Sequence, residues 1–256
     1  MSLSAPDGGL RKLRVAAAGD IHCRKANRDR VVDAFARLDG EADLVLLAGD
    51  LTSHGMVEEA EVVCAAAASV AAPVFVVLGN HDWHGGEADE IMQRLEAGGI
   101  GVLDRSAVTI EVDGLEVGLV GGKGFVGGFA PRHLPDFGEP SLRAVYAETT
   151  AEVEALDRGL HEVATCPVRI VLLHYSPVQA TLEGEPREIF AFLGSDRLAV
   201  PILEHGPDLV LHGHAHEGSP EGRIGEVPVF NVSLPVTGRD FWMAELDADS
   251  GRSPIP

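Results

Sequence analysis

Cysteine is scarce and odd in number, with three in 256 residues at positions 23, 64 and 166. That count and spacing exclude a disulfide framework and a cysteine-based zinc site, and point to a reducing, cytoplasmic setting. Long apolar runs are missing too. No stretch could span a bilayer, and residues 1–14 lack the hydrophobic core of a signal peptide. Nor does any repeat, linker or composition shift divide the chain. The polar start reads as a disordered lead-in over 1–10, and 11–250 is expected to form a single domain. Positive charge is in short supply, with 20 Lys and Arg against 40 Asp and Glu, a net charge of −20. Such a surface repels anionic lipid and the backbone of long nucleic acids, so neither is expected as a partner. If the protein handles phosphate, positive charge must come from elsewhere, and bound metal is the obvious source.

The remaining composition is that of an ordinary globular protein, 45% apolar and 23% charged, long enough to bury a substantial core. Five short apolar runs share one design. Residues 13–18 lead into GDIH, 44–48 into GD, 74–78 into GNHD, 170–173 into HYSP and 209–211 into HGHAH. Each has the length of a buried strand bounded by turn residues. Helical patterns over 28–38 and 56–70 separate the first three, which therefore read as βαβ units of a parallel sheet. In such sheets, sites assemble beyond the carboxyl ends of the strands. Other segments alternate as antiparallel strands do: 107–120 around Asp113-Gly114, suited to a type I′ turn, and two runs near the end. The expected fold is α/β, two mixed β-sheets packed as a sandwich with helices on both outer faces. A helix over 141–164 has Ser141 as its N-cap. Stretches 121–140 and 176–195 read as loops over the site.

Asp, His and Asn follow the apolar run in all five places. Carboxylate, imidazole and amide oxygen suit a divalent ion such as Mn²⁺, Fe²⁺ or Zn²⁺ without thiolate. Asp20, His22, Asp50, Asn80, His174 and two of the terminal histidines offer about seven donors, too many for one tetrahedral ion and suitable for two that share a carboxylate. Two ions about 3.5–4 Å apart can hold a hydroxide between them and clamp a phosphoryl group for in-line attack.

The ordered blocks Asp20-x-His22, Gly49-Asp50, Gly79-Asn80-His81-Asp82, His174 and Gly213-His214-Ala215-His216 resemble those of the calcineurin-like metallophosphoesterase superfamily. The tail from 213 onward and GSDRL before it are similar to its Icc-related group of predicted bacterial phosphoesterases. The resemblance implies one metal ion at Asp20, His22, Asp50 and His216, and a second at Asp50, Asn80, His174 and His214. It implies that His81 protonates the leaving group or stabilises the transferring phosphoryl, with Asp82 orienting its ring. His212 falls to second-sphere support or packing. A metal-dependent hydrolase of small phosphodiesters, such as cyclic nucleotides, is the expectation. The alternatives are a phosphomonoesterase or protein phosphatase, and a non-catalytic scaffold of the same fold.

The sequence departs from the superfamily's protein phosphatases at two places. Cys23 stands where they have Gly, and His54 where they carry a phosphate-gripping Arg. Cys23, His84, His133, His161 and His205 read as structural residues. Residues 122–127 fit G-x-G-x-x-G, but Pro131 and Pro135 occupy the place of the helix a dinucleotide site needs. Arg24, Lys25 and Lys123 read equally well as solvated surface charges or as substrate contacts.

Overall fold

Successive residues of each apolar run are buried on opposite faces of a strand, which is why the runs are continuous rather than alternating. In the computed structural model, which describes residues 12–247, they form strands β1 (Lys12–Ala18), β2 (Leu44–Ala48), β3 (Val74–Val77), β4 (Gly101–Val102), β5 (Ser106–Val112), β6 (Leu115–Gly121), β7 (Gly128–Phe129), β8 (Arg132–His133), β9 (Val168–Leu172), β10 (Leu209–His212), β11 (Glu221–Ile224), β12 (Val227–Asn231) and β13 (Trp242–Asp247). The helices are α1 (Arg28–Ala36), α2 (Val57–Ala67), α3 (Asn80–His84), α4 (Ala88–Ala97), α5 (Pro140–Glu162), α6 (Phe190–Leu193), α7 (Ala199–His205) and α8 (Leu234–Thr237). The lead-in expected over 1–10 lies outside the described residues.

Two mixed sheets face each other, with strand orders β13-β1-β2-β3-β4 and β11-β12-β10-β9-β6-β5. β1 to β4 run parallel, as do β6, β9, β10 and β12; β13, β5 and β11 are antiparallel edges. Between the sheets lie Val15, Leu44, Leu46, Ile170, Leu172, Leu209 and Leu211. Their chain neighbours Ala16, Val45 and Leu47 face outward to Val31 and Phe35 of α1, Val63 of α2 and Leu95 of α4. On the opposite outer face, Val171 and Val210 meet Leu156 and Leu160 of α5 and Ile202 of α7. Each large apolar side chain so buried contributes about 1.5–3 kcal/mol. The expected sandwich with helices on both outer faces is therefore present.

The Asp113-Gly114 turn has φ of 50° and 75°, the left-handed pair a type I′ hairpin requires. Ser141 is not an N-cap. α5 begins at Pro140, whose missing N–H costs nothing at a first helical position, and Glu139 precedes it in extended conformation. Residues 121–140 include the β7–β8 ribbon, and 176–195 fold into 3₁₀ turns at Gln179–Leu182 and Arg187–Ile189 before α6. Their alternation and periodicity are too short to register as elements in sequence. No helix among the described residues is long and apolar enough to cross a membrane.

Candidate metal centre

The carboxyl ends of β1, β2 and β3 in one sheet and of β9 and β10 in the other open onto the same edge of the sandwich. Beyond that edge the backbone is forced out of extended conformation. Six non-glycine residues among those described have positive φ, and four are Asp20 (59°), His22 (47°), Asp50 (50°) and His214 (71°). Left-handed backbone costs an L-residue roughly 1–2 kcal/mol, and strain of this kind gathers at functional sites. It persists because hydrogen bonds continue beyond the strands: Asp20 N to Gly49 O at 3.0 Å, His22 N to Asp50 O at 3.0 Å and Cys23 N to Leu51 O at 2.7 Å. The second sheet is tied in by Gly19 N to Val232 O at 2.8 Å. Two motif glycines make room for ligands of other blocks. A Cβ on Gly49 (φ 80°) would lie 2.6 Å from His174 Nδ1, and one on Gly79 would lie 2.2 Å from Asp50 Oδ1.

Three groups of donors result: Asp20, His22 and His216; His22, Asp50 and His81; and Asp50, His174 and His214, with the atoms of each group within 4.8 Å of one another. Asp50 joins the second group to the third, and His22 joins the first to the second. His174 donates from Nδ1 to the Ala48 carbonyl at 2.8 Å, and its Nε2 lies 2.9 Å from Asn80 Oδ1 and 3.4 Å from Asp50 Oδ1. In a neutral ring that nitrogen is an acceptor. Three acceptors then converge on one point, which only a cation, proton or metal, relieves. His214 likewise donates from Nε2 to the Phe192 carbonyl at 3.2 Å. Such bonds fix tautomer and ring orientation in metal-ligating histidines. His216 Nε2 lies 2.9 Å from Asp20 Oδ1.

The electrostatics suit the same reading. Burial opposes ionisation of Asp20, but the His216 hydrogen bond, the His174 and His216 charges and the His214 N–H outweigh it and hold the carboxyl at about 2. Burial pushes His214 down to about 3 and also lowers His22, so both rings are neutral at neutral pH, as ligation demands. His216 is raised, chiefly by its bond to Asp20. Carboxylates, imidazoles and an amide oxygen form a donor set that fits hard or borderline divalent ions.

All seven expected ligands are brought together. His81 stands beside them: its Nδ1 donates to Ser53 O at 2.8 Å, while Nε2 lies 4.0 Å from Asp50 Oδ2. Asp82 does not orient that ring, contrary to the expectation. Its fully buried carboxylate accepts from Thr52 Oγ1 (2.6 Å), Thr52 N (2.8 Å), Gly79 N (2.8 Å) and Leu51 N (3.2 Å). A side chain at the first turn of α3 is closer to those amides than to the ring one residue earlier. Burial, then the Asp50 charge, raises Asp82 to about 6 against these bonds. His212 is a support: Nδ1 donates to Gly213 O and Nε2 accepts from Thr181 Oγ1, both at 2.8 Å, and burial keeps it neutral with a pKa of about 4. His54 turns to Glu59, with Nδ1 2.8 Å from Oε1. Cys23 is buried and its thiol is pushed up to about 12 by burial, as suits a packing residue. Sequence reading missed the carbonyls of Ala48, Ser53 and Phe192, because every residue has one and no residue type announces it. It also missed Asn231, whose amide holds Ala215 O at 2.8 Å beneath the histidine turn.

Comparison with known proteins agrees with this geometry. Residues 13–218 match the family model described as calcineurin-like phosphoesterase. No curated protein matches the sequence. Among solved structures, phosphopantetheinyl hydrolase from Mycobacterium tuberculosis superposes with a TM-score of 0.65 at 14% identity, covering 95% of this chain and 99% of that one. TT1561 of Thermus thermophilus gives 0.58 at 18% identity over 96% and 99%. GAP50, described as the anchor in the inner membrane complex of Plasmodium, gives 0.59 at 12% identity over 94% and 86%. At these identities the likeness is one of fold. It reaches a hydrolase and an anchoring protein alike, so the chemistry must be read from the site.

Proposed function

The chain belongs to the calcineurin-like phosphoesterase family, and we propose that it is a dinuclear metal-dependent hydrolase of small phosphodiesters, in the size range of cyclic nucleotides. The observation that carries this reading is the convergence, from both sheets, of donor groups linked through Asp50. One ion would be held by Asp20, His22, Asp50 and His216, and the other by Asp50, Asn80, His174 and His214. Bound there, Mn²⁺, Fe²⁺ or Zn²⁺ would supply Lewis acidity and nucleophile activation.

The chain's own residues supply the rest. His81 keeps one ring proton on Ser53 O, so the proton it can pass to a leaving-group oxygen is the one on Nε2, on the Asp50 side. Asp82 holds the amides of Leu51, Thr52 and Gly79, keeping the Asp50 and His81 loops in mutual register. The diester preference rests on charge. A monoester dianion ordinarily calls for an arginine fork beyond the ions, and the position where protein phosphatases carry one is His54, engaged by Glu59. A diester has one charge fewer to balance. The acidic surface favours small esters over polymers. The three buried free cysteines support a reducing, cytoplasmic setting.

Metal analysis of protein purified without chelator should find two ions per chain. Asp50→Ala should lower both, and His22→Ala mainly one; an Asp50→Ala variant retaining two tightly held ions would remove the shared-carboxylate assignment. With metal and pH fixed, kcat/KM should be higher for a bis-aryl than for a mono-aryl phosphate. The opposite order would replace the diesterase by a phosphatase. Absence of metal-dependent turnover on either would leave the scaffold reading.

A further inference from the structure

The carboxyl end of β6, beside that of β9, carries a cation that the site described so far does not use. Lys123 follows β6 by two residues, and its carbonyl accepts the N–H groups of His174 (3.1 Å) and Tyr175 (3.0 Å). Its ammonium lies 4.1 Å from the Phe125 ring centroid, 5.7 Å from that of Tyr175 and 5.8 Å from that of Trp83. Two of these rings belong to the metal-centre blocks. Tyr175 follows His174 and stands 4.4 Å from the His214 ring, and Trp83 lies on α3 with Asn80 and His81. The carboxylates whose charge Lys123 feels most, Glu152 and Glu148, are bonded to Arg105, and Glu152 also accepts Gly124 N at 2.9 Å. Among the described residues Lys123 makes no ion pair. Arg105 and Glu152 thus brace the turn while leaving its lysine free. A part-buried cation set among aromatic faces, with its nearest carboxylates engaged by Arg105 and a backbone amide, in a chain of net charge −20, is an unusual thing to keep unless an anion comes to it.

We propose that Lys123, Trp83 and Tyr175 form a subsite for the part of the substrate beyond the scissile phosphorus, selecting phosphoesters that carry a second anionic group there. The proposal rests on the phosphodiesterase reading above and narrows it. A carboxylate or a further phosphate meets the ammonium, while the part of the ester joining it to the scissile group lies along Trp83, a residue 43% exposed. This subsite adjoins His174 and His214, whose rings lie 5.4 Å and 4.4 Å from that of Tyr175.

Two mixed diesters of 4-nitrophenol test it, one with an ethyl and one with a 2-phosphonoethyl group as the other ester. The leaving group is the same, so the chemistry is matched. The wild type should favour the phosphonoethyl ester by about tenfold or more in kcat/KM, the size of one charge-assisted hydrogen bond, and mainly through KM. Lys123→Met should erase that preference while ethyl-ester turnover stays within about threefold, and Lys123→Arg should retain it. Equal wild-type rates on the two esters overturn the subsite without recourse to any variant, as does a preference that survives in Lys123→Met. Failure of the wild type to hydrolyse either ester overturns the phosphodiesterase reading and the subsite with it. Turnover of both without preference overturns the subsite alone.

Discussion

At the scale of the residue, neighbours in one motif have separate jobs. Asn80 faces His174, His81 faces Asp50 with one nitrogen and Ser53 with the other, and Asp82 turns inward to the amides of another block. The first turn of a helix sends successive side chains in different directions, and three consecutive residues can therefore serve a metal, a substrate and the backbone. His81→Ala should keep both ions and lose roughly 10²- to 10⁴-fold in kcat on esters with poor leaving groups, and lose least on nitrophenyl esters. Metal analysis beside kcat for alkyl and nitrophenyl esters checks this. Equal losses on the two would take His81 out of proton transfer, and loss of an ion would make it a ligand. The adjacency of these residues was legible in sequence. The direction of Asp82 was not, because it depends on amides contributed by residues 51 and 52.

Elements show a parallel division. The buried strands declared themselves as unbroken apolar runs, and the Asp113-Gly114 hairpin by its turn residues. α3 and the ribbon of β7 and β8 did not, being short, and α4 went unread although Ala88, Ile91 and Leu95 mark its buried face at helical spacing. Where β1 and β2 begin, far from the ligand edge, the sheet is fastened by a different device. Asp43 accepts from Arg14 N at 2.8 Å, Nε at 3.1 Å and Nη2 at 2.6 Å. The Arg14 side-chain bond holds the Asp43 carboxyl below its ordinary value, against a partial opposing effect of burial. A depressed carboxyl stabilises the fold above its unfolded pKa, near 3.9, and that stability is lost as pH falls through the lower folded value. Asp43→Asn should therefore cost about 1 kcal/mol or less at pH 7, since Arg14 is partly exposed. The gap from wild type should close at pH below the carboxylate range. Urea midpoints in chelator at the two pH values measure it; a gap that persists in acid would assign the cost to packing instead.

For the molecule as a whole, the decisive feature is that one sheet supplies Asp20, Asp50 and Asn80 and the other His174, His214 and His216. Ions bound among them, as proposed, would bridge the two sheets of the sandwich. Asp20 and Asp50 are 3% and 1% exposed, so withdrawing the ions leaves buried carboxylates short of positive charge. Ions present at a hundredfold over their dissociation constant add about 2.7 kcal/mol per site. In a chain of this length, chelation should lower Tm on the order of 5–10 °C per site, with recovery on adding Mn²⁺. Calorimetry with and without chelator reads this directly, and an unchanged Tm would mean that the ions do not hold the sheets together.

The sequence by itself determined the sandwich, the ligand-bearing strand ends and the residue types at each, because apolar periodicity and donor chemistry are properties of local stretches. Tertiary structure alone decided which donors lie within reach of one another, that Asp82 serves the backbone, that His54 is spent on Glu59, and that Lys123 stands among three rings with no ion pair among the described residues. Each of these depends on distances between residues far apart in the chain, which are set by how two sheets and their covering helices pack.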